Sequence, residues 1–538
     1  MTPSDVGSTA AETRRMWSAR LARVPLPSEK LTMVLLAVLV LGVAILTVTP
    51  WPVGAFQDDA MYTVLAKSLA EGKGYRFLNL PGEPNATHFP PGYPLLLAGL
   101  WKLWPSFPDN IVLFKFVNAG LLAAAALGAF RYARQRFAAP VTVAAAVAII
   151  GTLSIVVLLV TGVVMSEPMF LALLFPTLLR AERAAETGRA RDAAVAGALL
   201  GALALVRTIG VFAVPAAGLV MLWRRRWAGA LTLGAVALAV LTPWQLWVGA
   251  HQHEVAPVLV GKFGSYGGWL VEGYRLGGAE FALAVLRRNA TELEAMLSYY
   301  FLPVVARWPR AVVMAIVLSF ALLGMKRFLR VAPVSLLFLV FYTLVIMAWP
   351  FEPARFVLAV WPLWPLLVGS GVLAVWHSAA RLPAGPVSTG AIVALALAVA
   401  AFVGGSGWYN AMGYSRKWWV SVQRDAGKRA RPIVEWAARY TDSTDVLSTE
   451  DDLIVYLYAH RKAVPTSTFR PAQRLAPLTD AQDATVAREI FAAYRPAWFI
   501  VGSQQGVRTA STLASGPDSM LTFVGRTPDV LIYQRTTP

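Results

Sequence analysis

The chain has 538 residues, of which 57% are hydrophobic and only 14% charged, and its mean hydropathy is +0.56. Apolar runs of helix-spanning length recur from about residue 31 to about residue 408, which excludes a soluble globular protein and indicates a polytopic membrane protein. The formal charge of +18 comes largely from arginines clustered beside these runs, so membrane orientation accounts for it without a nucleic-acid partner, and the absence of cysteine excludes disulfides, thiolate chemistry and cysteine-bound metals.

The first apolar run, 31–50, is long and has no small-residue cleavage site after it, so it reads as a retained span and not a signal peptide. Further spans are predicted near 110–130, 140–160, 164–180, 192–209, 211–223, 228–248, 311–325, 331–349, 356–376 and 388–408, about eleven in all. Basic clusters lie at Arg14, Arg15, Arg20, Arg23 and Lys30, at Arg131, Arg134 and Arg136, and at Arg180, Arg183, Arg189 and Arg191, so that every second loop is basic. Arg224 to Arg226 and then Lys326, Arg327 and Arg330 continue the pattern. The positive-inside rule therefore places the basic tail 1–30 in the cytoplasm and sends loop 51–109, loop 249–310 and the tail 409–538 to the outer face.

Residues 31–408 form the membrane module on this reading, and the Ala, Arg and Val richness suggests the plasma membrane of a bacterium. The tail 409–538 changes composition sharply. Its segments "TDVLST", "AWFIVGS" and "DVLIYQR" have strand character, while "KRARPIVEWAARY" and "DAQDATVAREIFAAY" have helical spacing, which predicts a small α/β domain. No internal repeat is visible.

Loop 51–109 opens on "FQDDAMYTVLAKSLAEGKG", helical from Asp58 to Glu71 with Gly72 and Gly74 as stop signals. Helical phase puts Asp58 with Met61, Tyr62, Leu65 and Leu69, and Asp59 with Thr63, Ala66 and Ala70. Asp58 is then the carboxylate expected to face the protein or membrane, and Asp59 a cap or supporting group. Glu167, in "VVMSEPMFL", either complements the dipole of the helix it opens with Pro168 or marks a site, the default for acids at a membrane edge. Arg207, in "ALALVRTIGVF", and Arg355, in "PFEPARFVLAV", break the positive-inside pattern and call for an anion. A phosphate suits them, because guanidinium grips it bidentately; a salt bridge to Glu352, Glu167 or an aspartate is the alternative.

His251, His253 and Glu254 in "HQHE", together with His88 from the other outer loop, are candidate ligands for a divalent metal, against the plainer reading of solvated or hydrogen-bonded loop residues. Asn85-Ala86-Thr87 and Asn289-Ala290-Thr291 match the glycosylation acceptor pattern, which carries little weight in a bacterium. The acids Asp58 and Glu167 and the cations Arg207 and Arg355 come from four separated segments, all assigned to one face. Such a set can deprotonate a hydroxyl and hold a phosphate at the lipid boundary.

These segments resemble the membrane glycosyltransferases of the GT-C superfamily, in particular the branch of the protein O-mannosyltransferases and the lipid A aminoarabinose transferase. "DDAMYTVLAKSL", "LPGEPNATHF" and "FPPGYPLLLAGL" follow the order and spacing of that branch's acidic pair, its "NGEPY" segment and its "KPPLYYWL" segment over about fifty residues. "SEP", "VRTIG" and "ARFVLAVWPLWP" are similar to its later motifs, so the likeness covers roughly 31–376. It implies a polytopic α-helical GT-C fold with a C-terminal extracytoplasmic α/β domain. It further implies inverting transfer of a sugar from a polyprenyl-phosphate donor to a hydroxyl on a cell-envelope glycan, lipid or protein, with no cofactor required and a divalent metal left open.

By the same likeness Asp58 is the catalytic base with Asp59 beside it, Glu167 orients substrate, Arg207 and Arg355 bind the donor phosphate, and Tyr62, His88 and Tyr93 position substrate. This sequence departs from the branch at Asp59, where glutamate is commoner, and at Phe89, where a phosphate-binding lysine precedes the two prolines. His88 stands where that branch has a glutamate implicated in metal binding. The rival readings are a transporter or flippase of lipid-linked sugars, which predicts charges serving both faces and paired discontinuous spans, and a non-catalytic envelope assembly protein whose tail binds a partner.

Overall fold

A computed structural model describes residues 28–383, 385–515 and 519–536; Arg14, Arg15, Arg20 and Arg23 of the basic tail lie outside the described residues. Every predicted span has a helix at its place. Six helices are long and apolar enough to cross a bilayer: Glu29–Leu46, Asn110–Phe137, Trp227–His251, Arg307–Val331, Leu363–Arg381 and Pro386–Ser415. The pair Val141–Thr152 and Ile155–Thr161, bent by 56° at its break, makes a seventh if it is one span. The remaining predicted spans are the helices Glu167–Thr187, Ala190–Val206, Ala213–Trp223 and Pro333–Ala348, which are shorter or more charged. The chain is a polytopic α-helical membrane protein.

The helix Glu29–Leu46 shows what membrane packing requires of sequence. Only Thr32, Leu36, Val40 and Ala44, a stripe of every fourth residue, are buried against the protein, while Val34 and Val38 are 60% and 64% exposed. Apolar side chains on all sides are stable there because lipid, not water, faces them. Helices in lipid gain little from apolar burial and associate through close packing of small residues. Arg307–Val331 and Leu363–Arg381 do so through Gly324 and Gly371, where a Cβ on either would overlap the backbone carbonyl of Leu367 or Phe320 on the facing helix.

Both long connections that read as loops in the sequence contain helices. Residues 51–109 hold Asp58–Ala70 and Gly92–Leu103, and residues 249–310 hold the 36-residue helix Tyr266–Phe301, interrupted at Gly278 by a φ of 65° that glycine tolerates. The long helix escapes a hydropathy reading because charged residues recur along it.

The chain's last part is an α/β unit. Its strands are β1 (Val446–Thr449), β2 (Lys462–Val464), β3 (Trp498–Val501), β4 (Leu521–Thr527) and β5 (Val530–Arg535), in the order β2-β1-β3-β5-β4. β1 pairs in parallel with β2 and β3, and β5 runs antiparallel to β3 and β4. β1, β3 and β5 were legible as strands, as were the helices Trp418–Tyr440 and Asp480–Tyr494; the two edge strands β2 and β4 were not. Residue 409, where composition changes, falls inside the helix Pro386–Ser415.

This unit roofs one end of the helix bundle. Lys462 donates to the Leu78 carbonyl at 2.6 Å and pairs with Glu83 at 2.5 Å, and the Ala463 amide donates to the Asn79 carbonyl at 2.8 Å. At the bundle side, the buried Lys115 Nζ donates to the carbonyls of Thr49 and Trp51, both at 2.9 Å, and to Gln423 Oε1 at 2.7 Å. One ammonium thereby joins the first span, the helix Asn110–Phe137 and the helix Trp418–Tyr440. Lys115→Met is expected to strand the Thr49 and Trp51 carbonyls, while Gln423 Oε1 keeps the Thr49 hydroxyl at 2.7 Å, and to lower stability by about 1–3 kcal/mol, read as a lower midpoint of thermal unfolding in detergent.

Candidate active site

The helix Asp58–Ala70 starts after Gln57 at φ 61° and ends before Gly72 and Gly74, both at positive φ, as the stop signals predict. It is buried on nearly all sides, so helical phase alone does not separate its two aspartates; Asp59, expected on the outer face, is the more buried. What separates them is what each meets. Asp59 Oδ2 accepts from the Gly54 and Ala55 amides at 2.8 and 3.1 Å, and its Oδ1 from the Phe56 amide at 3.1 Å. It pins the turn that leads into the helix. Burial pushes its carboxyl above the ordinary value, against the opposing pull of those three N–H groups. Asp58 instead lines a cavity.

Four distant segments meet beside Asp58. Arg355, on the short helix Ala354–Leu358, donates to Asp58 Oδ2 at 2.5 Å and lies 3.7 Å from Glu167 Oε1. Arg207, where the helix Ala190–Val206 breaks into a 3₁₀ turn, is 2.8 Å from the same Glu167 oxygen and donates to Ser166 Oγ at 3.0 Å. The Tyr62 hydroxyl shares that Ser166 oxygen at 3.0 Å. The order Asp58, Arg355, Glu167, Arg207 alternates in sign and is neutral overall. The Arg207–Glu167 contact is a close charge contact and not an aligned hydrogen bond, because neither carboxylate oxygen of the fully buried Glu167 accepts one among the described residues. Both arginines thus have the acidic partners that were the alternative to a phosphate, whereas Glu352 is exposed and in no ion pair among the described residues.

The cavity has a volume of about 700 Å³ and runs from this cluster to the α/β unit. Tyr62, His88, Arg207 and Arg355 are on its wall at the bundle end; Lys262, Arg429, Asp451, Thr468 and Gln505 are on its wall at the other. Tyr93 is not on it. That side chain is fully buried behind Tyr62, edge-on at 5.0 Å, and donates to Asn118 Oδ1 at 3.1 Å, so it supports Tyr62 and does not reach the cavity. His88 is buried, and its Nδ1 donates to the Gly264 carbonyl at 2.7 Å, leaving Nε2 as an acceptor. Burial holds its pKa below the ordinary 6.5, so the ring is neutral at physiological pH.

The proposed metal ligands do not assemble. His251 Nδ1 is 2.6 Å from Glu254, and Glu254 also accepts the Asn85 amide at 2.8 Å and the Asn85 side chain at 2.9 Å; His253 is exposed, and His88 is committed to Gly264. No group of three or more His, Asp or Glu side chains suited to a metal occurs among the described residues. The donors present do not fit one. Residues that sequence reasoning missed include Ser166, adjacent to Glu167 in "SEP", and Lys115, a lone lysine in the apolar run "NIVLFKFVN". Thr468 and Gln505 carried no signal at all.

No protein-family model matches the chain, and no curated protein matches it. Its structure is similar to the crystal structure of ArnT from Cupriavidus metallidurans in the apo state, with a TM-score of 0.50 and 14% identity over 93% of this chain and 97% of that one. The fold is GT-C. The structure of ArnT from the same organism bound to undecaprenyl phosphate aligns over the same shares, at 14% identity and a TM-score of 0.47. At this identity the GT-C likeness is one of architecture, and function has to be argued from the side chains.

Two expectations follow from this geometry. Glu167→Gln takes the acidic partner from Arg207, and Arg207→Gln leaves Glu167 only the more distant Arg355, so the double variant is expected to lose less stability than the two losses added, with a coupling of roughly 0.5–3 kcal/mol in chemical unfolding. For His88, the unfolded chain takes up a proton near the ordinary 6.5 while the folded ring resists until lower pH, so the unfolded state binds more protons in between and stability falls as pH drops through that window. His88→Gln should flatten this part of the slope when thermal unfolding is followed from about pH 7.5 to 5.

Proposed function

We propose that the protein is a glycosyltransferase that moves a sugar from a polyprenyl-phosphate donor to a hydroxyl-bearing acceptor, in a bacterial plasma membrane with its site on the extracytoplasmic side. The observation that carries this reading is the meeting of Asp58 with Arg355, Glu167 and Arg207 at the bundle end of the cavity. An acid able to take a hydroxyl proton and two guanidinium groups able to hold a phosphate are the two things such a transfer requires in one place. The motif likeness and the GT-C architecture agree with it.

The orientation is supported by the basic clusters. Arg134 pairs with Glu29 at 2.9 Å, Arg136 with Glu186 at 2.6 Å, and Arg327 donates to the Phe137 carbonyl, so the segments that carry four of the predicted cytoplasmic clusters are tied together at one set of helix ends.

In the proposed reaction, Asp58 accepts the proton of the acceptor hydroxyl while that oxygen attacks the anomeric carbon on the side opposite the phosphate. The new carbon–oxygen bond forms as the bond to the phosphate oxygen breaks, its electron pair leaves with the polyprenyl phosphate, and the sugar inverts. Arg355 and Arg207 offset the charge that gathers on the departing phosphate, an electrostatic contribution that is often the largest in such sites. Arg355 now grips Asp58, so a donor phosphate that draws the guanidinium to itself also releases the base. Tyr62, held by Ser166, and neutral His88 line the place where the sugar would sit.

Asp58→Asn tests this assignment with purified protein and radiolabelled polyprenyl-phosphate hexose and pentose donors. The expected result is a kcat about 10²–10⁴-fold lower in protein that remains folded. Full transfer by that variant would overturn the base assignment, and lipid crossing proteoliposomes unmodified by wild-type protein would mark a transporter.

A further inference from the structure

The charges along the whole cavity bear on the acceptor. Each cation on its wall already has an acid: Arg355 pairs with Asp58, Arg207 with Glu167, Lys262 with Asp452 at 2.6 Å, and Arg429 with Asp451 at 3.2 Å. Glu450, at the α/β end, has no cation within ion-pair distance among the described residues; it accepts the Gly502 amide at 3.2 Å, the Ser503 amide at 3.0 Å and the Ser503 hydroxyl. The wall and its partners therefore hold one more carboxylate than cations, before any donor phosphate claims an arginine. A second anionic group entering here would meet no free positive charge and an excess of negative.

What the α/β end offers instead is neutral. The segment after β2 places Thr466, Ser467 and Thr468 on the wall. Thr468 is 6% exposed, and its Oγ1 is buried with no hydrogen-bond partner among the described residues, an arrangement that costs free energy unless a ligand completes it. Beside it three rings are stacked: Trp349 on Phe351 at 6.3 Å and 24°, and Phe351 on Phe469 at 4.5 Å and 18°. All three line the cavity and are only half-buried. An apolar aromatic shelf next to one unsatisfied hydroxyl suits a ring with one apolar face and a rim of hydroxyl groups.

We propose that this end of the cavity is the acceptor subsite and that it takes an uncharged, polyhydroxylated acceptor, a neutral glycan, in preference to a phosphorylated glycolipid. The inference rests on the glycosyltransferase reading of the Asp58 end, but it is tested by binding and so can stand or fall separately. Thr468 is a specificity residue on this account, and the shelf of Trp349, Phe351 and Phe469 sets the plane of the bound ring.

The test uses the full chain in detergent and a panel of fluorescently labelled neutral oligosaccharides, α- and β-linked oligomers of hexoses and pentoses. The comparison probes are a phosphorylated glycolipid and a Ser/Thr-containing peptide. Saturable binding of at least one neutral oligosaccharide is expected, weakened roughly tenfold by Thr468→Val and kept within about twofold by Thr468→Ser, which retains the hydroxyl. Phe469→Ala should weaken the same probe. Neutral oligosaccharide binding without sugar transfer from any donor would sink the glycosyltransferase reading and keep the subsite. No binding across the neutral panel, a preference for the phosphorylated glycolipid or the peptide, or equal binding by folded Thr468→Val and Thr468→Ser would overturn the subsite, whatever the transfer assay shows.

Discussion

The structure turns on one line of alternating charge, Asp58, Arg355, Glu167 and Arg207. Each of these groups would be costly alone at a membrane edge, and each is made tolerable by the next. They come from four parts of the chain: a helix after the first span, a helix start, a break between two helices and a short helix between two late spans. All four must arrive together for any of them to be paired. The cluster thus rewards one arrangement of the bundle and penalises others, and it leaves chemically reactive groups concentrated at one end.

The α/β unit turns that end from an open surface into a cavity. It is fastened to the first long connection by Lys462 and Glu83 and by the backbone bond between Ala463 and Asn79, and to the later connection by Lys262 and Asp452. At Gly261 the approach is so close that a Cβ would overlap the carbonyl of Phe469. These contacts make one wall from residues separated by hundreds of positions in sequence. They also give the cavity two chemically different ends, one rich in paired charge and one in hydroxyls and aromatic rings.

The architecture is shared with ArnT at 14% identity, and a fold alone does not dictate a site. Within this chain the work is divided among neighbouring residues. Asp59 illustrates the division: it holds the turn that aims its neighbour, and contributes through backbone amides and not through contact with the cavity. Glu254 and His251 illustrate it in another way, since they spend their polar atoms on each other and on Asn85.

Much of this protein was determined by its sequence alone. Hydropathy marks the positions of the membrane helices, because lipid demands long apolar runs, and arginine clusters distinguish one set of helix ends from the other. Asp58, Glu167, Arg207 and Arg355 stood out because a charge in an apolar context is expensive enough to need a reason. Three strands and two helices of the α/β unit were legible from local pattern. The tertiary structure alone decided the rest. Only it shows that the two arginines are paired with acids, that the histidines do not gather, that Tyr93 backs Tyr62, and that Lys115 ties three segments together. Only it brings Thr468 and the stacked Trp349, Phe351 and Phe469 to the same cavity as Asp58. The physical reason is the range of the interactions: hydropathy and helical phase act over a few neighbouring residues, whereas ion pairs, caps and cavity walls join residues whose separation along the chain carries no pattern.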